Sequence, residues 1–582
     1  MLGAVALLSF ALRTAAEEPS TKPNVLIVLV DDAGYGDYSC HGNPIMKTPN
    51  VDKLRRESVR LTDFHVAPMC TPTRGQLLTG KDCYRNGASQ VATSRMLLRP
   101  GIPTAADIFA ANGYRTGQFG KWHLGDNYPY RPQDRGFQDV LYFHLAVIGQ
   151  SDDYWENDYF DPWFRRADGV PRQFKGYCND ILFDEAMGWM RERAAKNEPF
   201  FCYLPLNLVH APLVVPQKYR ELYKDQEPNI ASGFGMLANV DENIGRLEAF
   251  LHQSGLSENT VLIFLNDNGA TFGAKVFNAG MRGRKTEYYE GGHRGPCFIR
   301  WPQGKLPVGA DVSELTEVQD ILPTLVELCG LKETKDAQFD GISLARALRG
   351  EKNPIPDRTL VVQYARSPKG DAAVMWRRWR LVHDCQLYDL ATDPGQQNNI
   401  IKDHPDIAER MRGQYDTWWT RVKPSFDKRS PITIGDSHEN PTTLTPSSHY
   451  DKGKGTSNSQ FVRLATAPND AWFVKIAQDG DYEITLRRWP EEAKAPIRSS
   501  VPQWGSQDKV GKHLLPVGKA LQITKARLTV GEFSGEQPVG TTDTAIPFNA
   551  KFKAGETMLK GSFFNDEMME LGGAYYVTAR RK

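Results

Sequence analysis

Val25-Leu26-Ile27-Val28-Leu29-Val30-Asp31-Asp32-Ala33-Gly34, entered from Pro23-Asn24, is the stretch that decides the fold. An unbroken apolar run rich in β-branched residues predicts a strand buried on both faces, the form of a central parallel strand. Its abrupt end in Asp31-Asp32 places a polar loop at the carboxyl end of that strand. The same design recurs at Thr260 to Leu265, which runs into Asn266-Asp267-Asn268-Gly269. A third apolar run, Phe200 to Leu204, leads to Asn207 and His210. Helix-like stretches lie between them at 51–59, 105–112, 181–195 and 237–254. Alternation of strand and helix predicts an α/β architecture, a large mostly parallel sheet flanked by helices. Ligands gather at the carboxyl ends of strands in such sheets, where all these polar loops fall.

The pattern changes beyond this α/β domain, read as residues 23–355. Short strand candidates at 359–364, 373–376 and 379–383, then a helix over 405–422, predict a smaller α+β subdomain over 356–422. Residues 423–454 are rich in Pro, Ser, Thr, Gly and Asn and read as a linker or long loop. Past them, Trp472, Val474 and Ile476 alternate with polar positions, as do Tyr482, Ile484 and Leu486. Further strand-like runs at 520–530, 546–552 and 574–577 predict an all-β, sandwich-like module over 455–582.

At 582 residues the chain is long enough for several domains, and its formal charge of +1 argues against broad attraction to nucleic acid or an anionic membrane. Any anion binding is therefore local. No apolar run reaches the roughly 18 to 20 residues needed to span a bilayer. Leu2 to Leu12 followed by Arg13-Thr14-Ala15-Ala16 reads as the later part of a signal peptide over residues 1–16, implying export to a periplasmic or extracellular location. Eight cysteines in a chain this long do not make a disulfide framework, and the lack of a CxxC pair argues against structural zinc; Cys83, Cys178, Cys202, Cys297, Cys329 and Cys385 read as buried thiols or as one or two bridges.

A single Asp pair after a strand usually serves as a turn or a helix cap. Here Asp31-Asp32 and Asp267-Asn268 follow two strands of one sheet. If those strands are neighbours, three carboxylates and an amide converge, and unneutralised like charges 4 Å apart cost roughly 4 kcal/mol at an effective dielectric near 20. A bound cation relieves the conflict, and an all-oxygen ligand set favours calcium or magnesium.

Cys70-Thr71-Pro72-Thr73-Arg74 reads on its own as a thiol at a helix start with an arginine one turn later, both of which lower a cysteine pKa. With Leu78-Thr79-Gly80 following, it resembles the sulfatase motif whose cysteine is oxidised to formylglycine. Lys121-Trp122-His123-Leu124-Gly125 resembles that family's second motif. Pro49-Asn50-Val51-Asp52-Lys53-Leu54, His210-Ala211-Pro212 and Met281-Arg282-Gly283-Arg284-Lys285 with Glu290-Gly291-Gly292 fall in the family's order. The resemblance spans most of residues 23 to about 420.

It implies an alkaline-phosphatase-like fold and a calcium-dependent sulfuric ester hydrolase acting on a sulfated carbohydrate or an aryl sulfate. Asp31, Asp32, Asp267 and Asn268 would hold calcium, with formylglycine at Cys70 as a further ligand and the nucleophile. Arg74 and Lys121 would neutralise charge around it, and His123 would orient its hydrate. His210 and Lys285 would contact sulfate, His210 serving as the acid for the leaving oxygen. A formylglycine-generating maturation enzyme would be a partner.

The sequence departs from the family at Arg284, where glycine usually precedes the lysine. Arg282, Arg284 and Arg294 read equally as anionic-glycan ligands and as ordinary solvated charges. His144 is the stand-in for a further polar contact, and the aromatics from Tyr142 to Trp163 read as a sugar cleft or as packing. Two rival functions fit the same residues: a phosphonate or phosphodiester hydrolase, and a silent sulfated-glycan-binding protein in which Cys70 stays a thiol.

Overall fold

The computed structural model describes residues 22–332, 337–352, 354–450, 457–505 and 514–582. The signal-peptide reading of residues 1–16 lies outside the described residues. A ten-stranded sheet forms the centre. Its strands in chain order are β1 (Asn24–Val30), β2 (Val59–Leu61), β3 (Arg115–Lys121), β4 (Asp139–Phe143), β5 (Trp163–Arg165), β6 (Pro171–Gln173), β7 (Phe200–Pro205), β8 (Thr260–Asn266), β9 (Cys297–Arg300) and β10 (Asp311–Val312). They lie side by side as β10-β2-β9-β8-β1-β7-β3-β4-β5-β6.

The central five strands, β8-β1-β7-β3-β4, are all parallel. Val25 faces Val261 on one side and Phe201 on the other, so β1 is buried by neighbours in the sheet plane as well as on both faces. One face packs under the helices α1 (Cys178–Ala195) and α2 (Pro228–Gln253), and alternate residues of β1 point to each of two apolar cores. Antiparallel β9 closes one side against β8, and β5-β6 closes the other against β4.

The smaller subdomain is a four-stranded antiparallel sheet (359–362, 373–376, 379–382, 386–389) carrying the helix Pro405–Val422. The C-terminal module is two sheets packed face to face around Trp472, Ile484, Leu528, Phe548 and Val577. Its longest strand, Gly555–Phe564, was not expected from the sequence, because its solvent-facing half is polar. Residues 423–454 differ from the linker reading. Ile432–Ile434 pairs with Trp472–Ile476, and Thr442–Leu444 pairs with Tyr576–Arg581, so the module's first strands lie inside that stretch. Among the described residues no helix is long and apolar enough to cross a membrane.

Candidate active site

The carboxyl ends of β1, β3, β7 and β8 bring together the residues that the sequence singles out. Asp31 and Asp32 leave β1, Lys121 ends β3, His210 follows β7, and Asp267 and Asn268 leave β8. Gly120 allows β3 to run this close to β7: its φ is +129°, and a Cβ there would lie 1.9 Å from the Pro205 carbonyl oxygen. Asp32 and His123 sit at φ of 63° and 59°, a strained conformation for residues with side chains and one that clusters at functional sites.

Cys70 opens a helix, Cys70–Thr79, whose every residue is buried. Thr73 Oγ1 accepts from the Ala67 amide at 2.9 Å and ties the first turn to the incoming chain. The loop bearing Lys285 is pinned on both sides, its amide donating to Ala270 O at 3.1 Å and the Thr286 amide to Pro68 O at 2.9 Å. Lys285 Nζ therefore stands between the two, bonded to Asp32 Oδ1 and 3.5 Å from Cys70 Sγ.

Three cations oppose three carboxylates. Arg74 donates from Nε and Nη2 to Asp267 Oδ2 at 3.1 and 2.7 Å. Lys121 donates to Asp31 Oδ2 at 2.7 Å, and Lys285 to Asp32. The carboxylate repulsion expected from the sequence is thus already met by basic side chains, and it no longer argues for a metal. Other observations do. Asp31 Oδ1 and Asn268 Oδ1 are buried without a hydrogen-bond partner among the described residues. Ligand atoms of Asp31, Asp32, Cys70 and Asp267 all lie within 4.8 Å of one another. Orphaned buried oxygens cost about 1–3 kcal/mol each, so this oxygen-lined cradle fits a hard cation such as calcium. A dication added to the balanced set of charges would make the site net positive, a charge that suits an anion.

Burial pushes the Asp31 carboxyl up to about 8, with Asp267 adding to it and Lys121 opposing. Burial works the same way on Asp32, but His210, Lys285 and Lys121 outweigh it and hold that carboxyl below the usual range. Burial pushes the Cys70 thiol up to about 12, against the pull of Lys121 and Lys285. This corrects the expectation of a thiol activated by the helix start and Arg74: Arg74 is spent on Asp267, and a buried thiolate is too costly. Cys70 as it stands is a poor nucleophile.

Burial holds His210 down to about 4, the Asp32 carboxylate opposing. Its Nε2 lies 3.6 Å from Asp32 Oδ2, and its Nδ1 is 2.6 Å from Ala211 O. Burial, together with the charge on Lys121, keeps His123 well below the ordinary histidine value. Its Nε2 bonds the Val91 carbonyl at 2.9 Å and its Nδ1 is buried and unpartnered among the described residues. Val91 acts through its main chain, and no sequence signal marks it. Asn207, just past the end of β7, is another residue that the sequence reading left unassigned; its Nδ2 is buried without a partner among the described residues.

His144 contacts Asp152 O and the Tyr142 ring and does not join the cluster of Asp31, Asp32, Cys70 and Asp267. Arg282 stacks on Tyr289 and bonds Tyr388 and Gln396 of the smaller subdomain, and Arg294 bonds Thr62 and Glu290. Arg284 is half-exposed beside Glu287. Two of these three arginines are therefore packing elements. Tyr154 stacks on Trp163 and Trp155 meets Trp489 of the C-terminal module, so these aromatics pack the molecule together. All eight cysteines are free thiols.

Residues 23–331 match the family described as Sulfatase. The chain belongs to the sulfatase family. Among relatives of this sulfatase, N-acetylgalactosamine-6-sulfatase of Canis lupus familiaris is 29% identical over 354 residues, 56% of this chain and 66% of that protein. Arylsulfatase G of the same species is 31% identical over 380 residues, 58% of this chain and 69% of that protein. The chain thus spans about two thirds of the length of the curated relatives it matches. Among solved structures, that of Ps i-CgsB is 26% identical with a TM-score of 0.62, covering 68% of this chain and 93% of the other. The same protein is also known in complex with k-i-k-neocarrahexaose. The ordered motifs, the mixed sheet and the separate C-terminal sheets agree with the fold expected from the resemblance.

Proposed function

We propose that this sulfatase hydrolyses sulfate esters on a carbohydrate, with residue 70 as nucleophile after oxidation to formylglycine and calcium in the oxygen cradle. The observation that carries this reading is the meeting of Asp31, Asp32 and Asp267 around Cys70, with Asn268 bonded to Asp32 and with Asp31 Oδ1 and Asn268 Oδ1 unpartnered among the described residues. Relatives named for N-acetylgalactosamine 6-sulfate and a neighbour bound to an oligosaccharide support a sugar substrate.

When present, the aldehyde hydrate supplies an oxygen nucleophile and the calcium a double positive charge at the ester oxygens. The chain's own residues do the rest. Arg74 holds Asp267 ionised, and Lys121 fixes Asp31 by a hydrogen bond and works against the burial that raises it, so the cradle needs no rearrangement. Lys285, 3.5 Å from Sγ, is placed to meet charge developing on the transferring group. His123, whose Nε2 bonds the Val91 carbonyl, keeps Nδ1 unpartnered among the described residues and so offers it as a proton acceptor. His210 faces the cluster with Nε2, and an anionic ester beside it raises its pKa, the condition for it to protonate the leaving oxygen.

The test is the mass of the tryptic peptide of residues 61–74, bounded by Arg60 and Arg74, from protein made with a maturation enzyme. An aldehyde at residue 70 supports the reading. A thiol, under conditions that mature a control sulfatase, overturns it. Turnover of an aryl sulfate against a matched phosphodiester separates a sulfatase from the rival hydrolase. Export, proposed from residues 1–16, is tested by cell fractionation.

A further inference from the structure

Two buried histidines take no part in the chemistry described above. His65 and His293 are each 1% exposed, and their Nδ1 atoms lie 2.9 Å apart. His65 stands five residues before Cys70 and His293 eight residues after Lys285, so their contact joins the two chain segments that carry those side chains. We propose that the His65–His293 hydrogen bond is a positioning device that fixes Lys285 against residue 70. The proposal rests on the reading above of residue 70 and Lys285 as reacting groups, and deepens it.

The hydrogens around the pair can be traced. His65 Nε2 lies 2.9 Å from Asp63 Oδ1, and Arg380 Nη2 donates to both oxygens of Asp63, at 2.9 and 3.2 Å. Burial pushes the Asp63 carboxyl up, but Arg380, His65 and Arg294 outweigh it and hold it well below the usual range. An ionised carboxylate only accepts, so His65 donates to it from Nε2 and turns Nδ1 to His293. Burial, with the charge of His65 adding to it and Glu290 opposing, holds His293 down to about 3, so this ring is neutral and carries one hydrogen. On Nδ1 that hydrogen closes the 2.9 Å contact with His65; on Nε2 it would serve only the longer, 3.3 Å approach to the Tyr288 carbonyl. The shorter contact takes it.

The bond closes a ring. Arg380 Nε donates to Glu290 Oε1 at 2.7 Å, and Glu290 and His293 begin and end one short helix. Arg380, Asp63, His65, His293 and Glu290 thus tie the smaller subdomain to both segments. Main-chain bonds carry the constraint onward. The Val66 amide donates to His293 O at 2.8 Å, the Gly269 amide to Gly292 O at 3.0 Å, and the Thr286 amide to Pro68 O at 2.9 Å. Apolar side chains would fill this space without the desolvation cost of buried charges. What a satisfied polar network adds is one fixed geometry.

His65, Glu290 and His293 also meet the distances for a metal ion. Both oxygens of Glu290 are nevertheless bonded to arginines, Oε2 by Arg294 at 3.2 Å, and a dication there would face two guanidiniums. The ring of side chains is satisfied by its own hydrogen bonds.

The experiment measures aryl sulfate kcat and KM in matured, full-length protein, unchanged and with His293→Leu, Lys285→Met, and both. If the pair acts through Lys285, breaking it matters only while Lys285 is present. His293→Leu is expected to lower kcat about tenfold with KM changed less than about twofold, since misplacing a reacting group by about 1 Å costs up to about 10²-fold. In Lys285→Met protein the same substitution is expected to lower kcat less than about twofold. His293→Gln keeps a donor toward His65 and is expected to recover most of the loss. Equal losses in both backgrounds, or none in either, overturn the proposal. His65→Leu breaks the bond from its other side and decides the same question should His293→Leu not fold. If the unchanged protein, with an aldehyde confirmed at residue 70, does not turn over aryl sulfate, the catalytic reading fails. Hydrogen exchange then judges the lock by itself. Faster exchange at residues 64–70 and 284–293 in His293→Leu supports it, and unchanged exchange overturns it.

Discussion

Arg74 spends two of its donors, Nε and Nη2, on one oxygen of Asp267, Oδ2, at 3.1 and 2.7 Å. The two residues stand 193 positions apart and both are completely buried. Nη1 bonds the Lys121 carbonyl at 3.0 Å, so one guanidinium fixes the strand ends of β8 and β3 at once. Burial of the pair is tolerable only while it is complete.

Arg74→Ala leaves Asp267 charged, buried and beside Asp31 and Asp32. A loss of about 3–5 kcal/mol of folding stability is expected, because breaking a buried pair costs far more than the pair is worth. Urea denaturation checks it. Arg74→Lys keeps the charge without the fork, and is expected to recover part of the stability and little of the activity.

Lys285→Met is expected to act on turnover as well as on stability, because Asp32 also loses a buried partner. The side chain is close to isosteric, and its loop stays pinned by the main-chain bonds to Ala270 and Pro68. Loss of a positive charge aimed at the reacting group is expected to lower kcat by about 10²–10³-fold, as for other preorganised electrostatic contacts. Circular dichroism is expected to be unchanged. A change confined to KM would remove Lys285 from the reacting centre.

Much of this site was legible in the sequence because its strands are of the extreme kind. Val25–Val30 of β1 and Val261–Leu265 of β8 are wholly apolar, and such a run leading into an Asp-bearing loop has few other uses. β3 was not legible: Arg115-Thr116-Gly117-Gln118-Phe119-Gly120-Lys121 contains two glycines and little hydrophobic patterning, yet it is central. Gly117 and Gly120 are there for close approach, to Trp189 and Pro205, and that need is tertiary. The pairing of Arg74 with Asp267, and not with the Cys70 thiol, was hidden for the same reason. Residues 423–454 were misread because composition reports Pro, Ser and Thr, while three-residue strands such as Thr442–Leu444 need only two inward side chains. The motifs themselves, by contrast, survive as contiguous residues, so Cys70, His123 and Lys285 could be placed without coordinates.

Calcium removal is expected to have a pH signature set by Asp31. In ion-free protein its carboxyl is pushed up to about 8 from an ordinary value of 3.8. The folded state then holds a proton that the unfolded chain releases. Stability from this group is complete below about pH 4 and is lost as pH rises through about 8. Asp32 and Asp267 are depressed and act the other way, but only below the ordinary carboxylate range. Chelated protein is therefore expected to lose thermal stability between about pH 5 and pH 8, and calcium to restore more of it at the upper end. Thermal scans with and without added calcium at these two pH values check it. A calcium shift independent of pH would mean that Asp31 is not a ligand.

The C-terminal module is expected to matter to catalysis through His123. The Thr93 and Ser94 amides donate to Ser447 O and His449 O at 2.6 and 3.0 Å, and they anchor the loop whose Val91 carbonyl holds His123 Nε2. Asp152 strengthens the same seam by accepting from the Thr445 hydroxyl at 2.7 Å and from Ser447. Asp152→Ala strands those hydroxyls in a buried seam, at a cost of about 1–3 kcal/mol each where water cannot reach them. Aryl sulfate kcat is expected to fall several-fold, with KM little changed, because the substrate's own contacts are untouched while His123 loses its fixed orientation. Asp152→Asn keeps an acceptor oxygen for the two hydroxyls and is expected to recover most of the loss. If Asp152→Ala lowers stability but leaves kcat at the level of the unchanged protein, the seam is structural and His123 is held by other means.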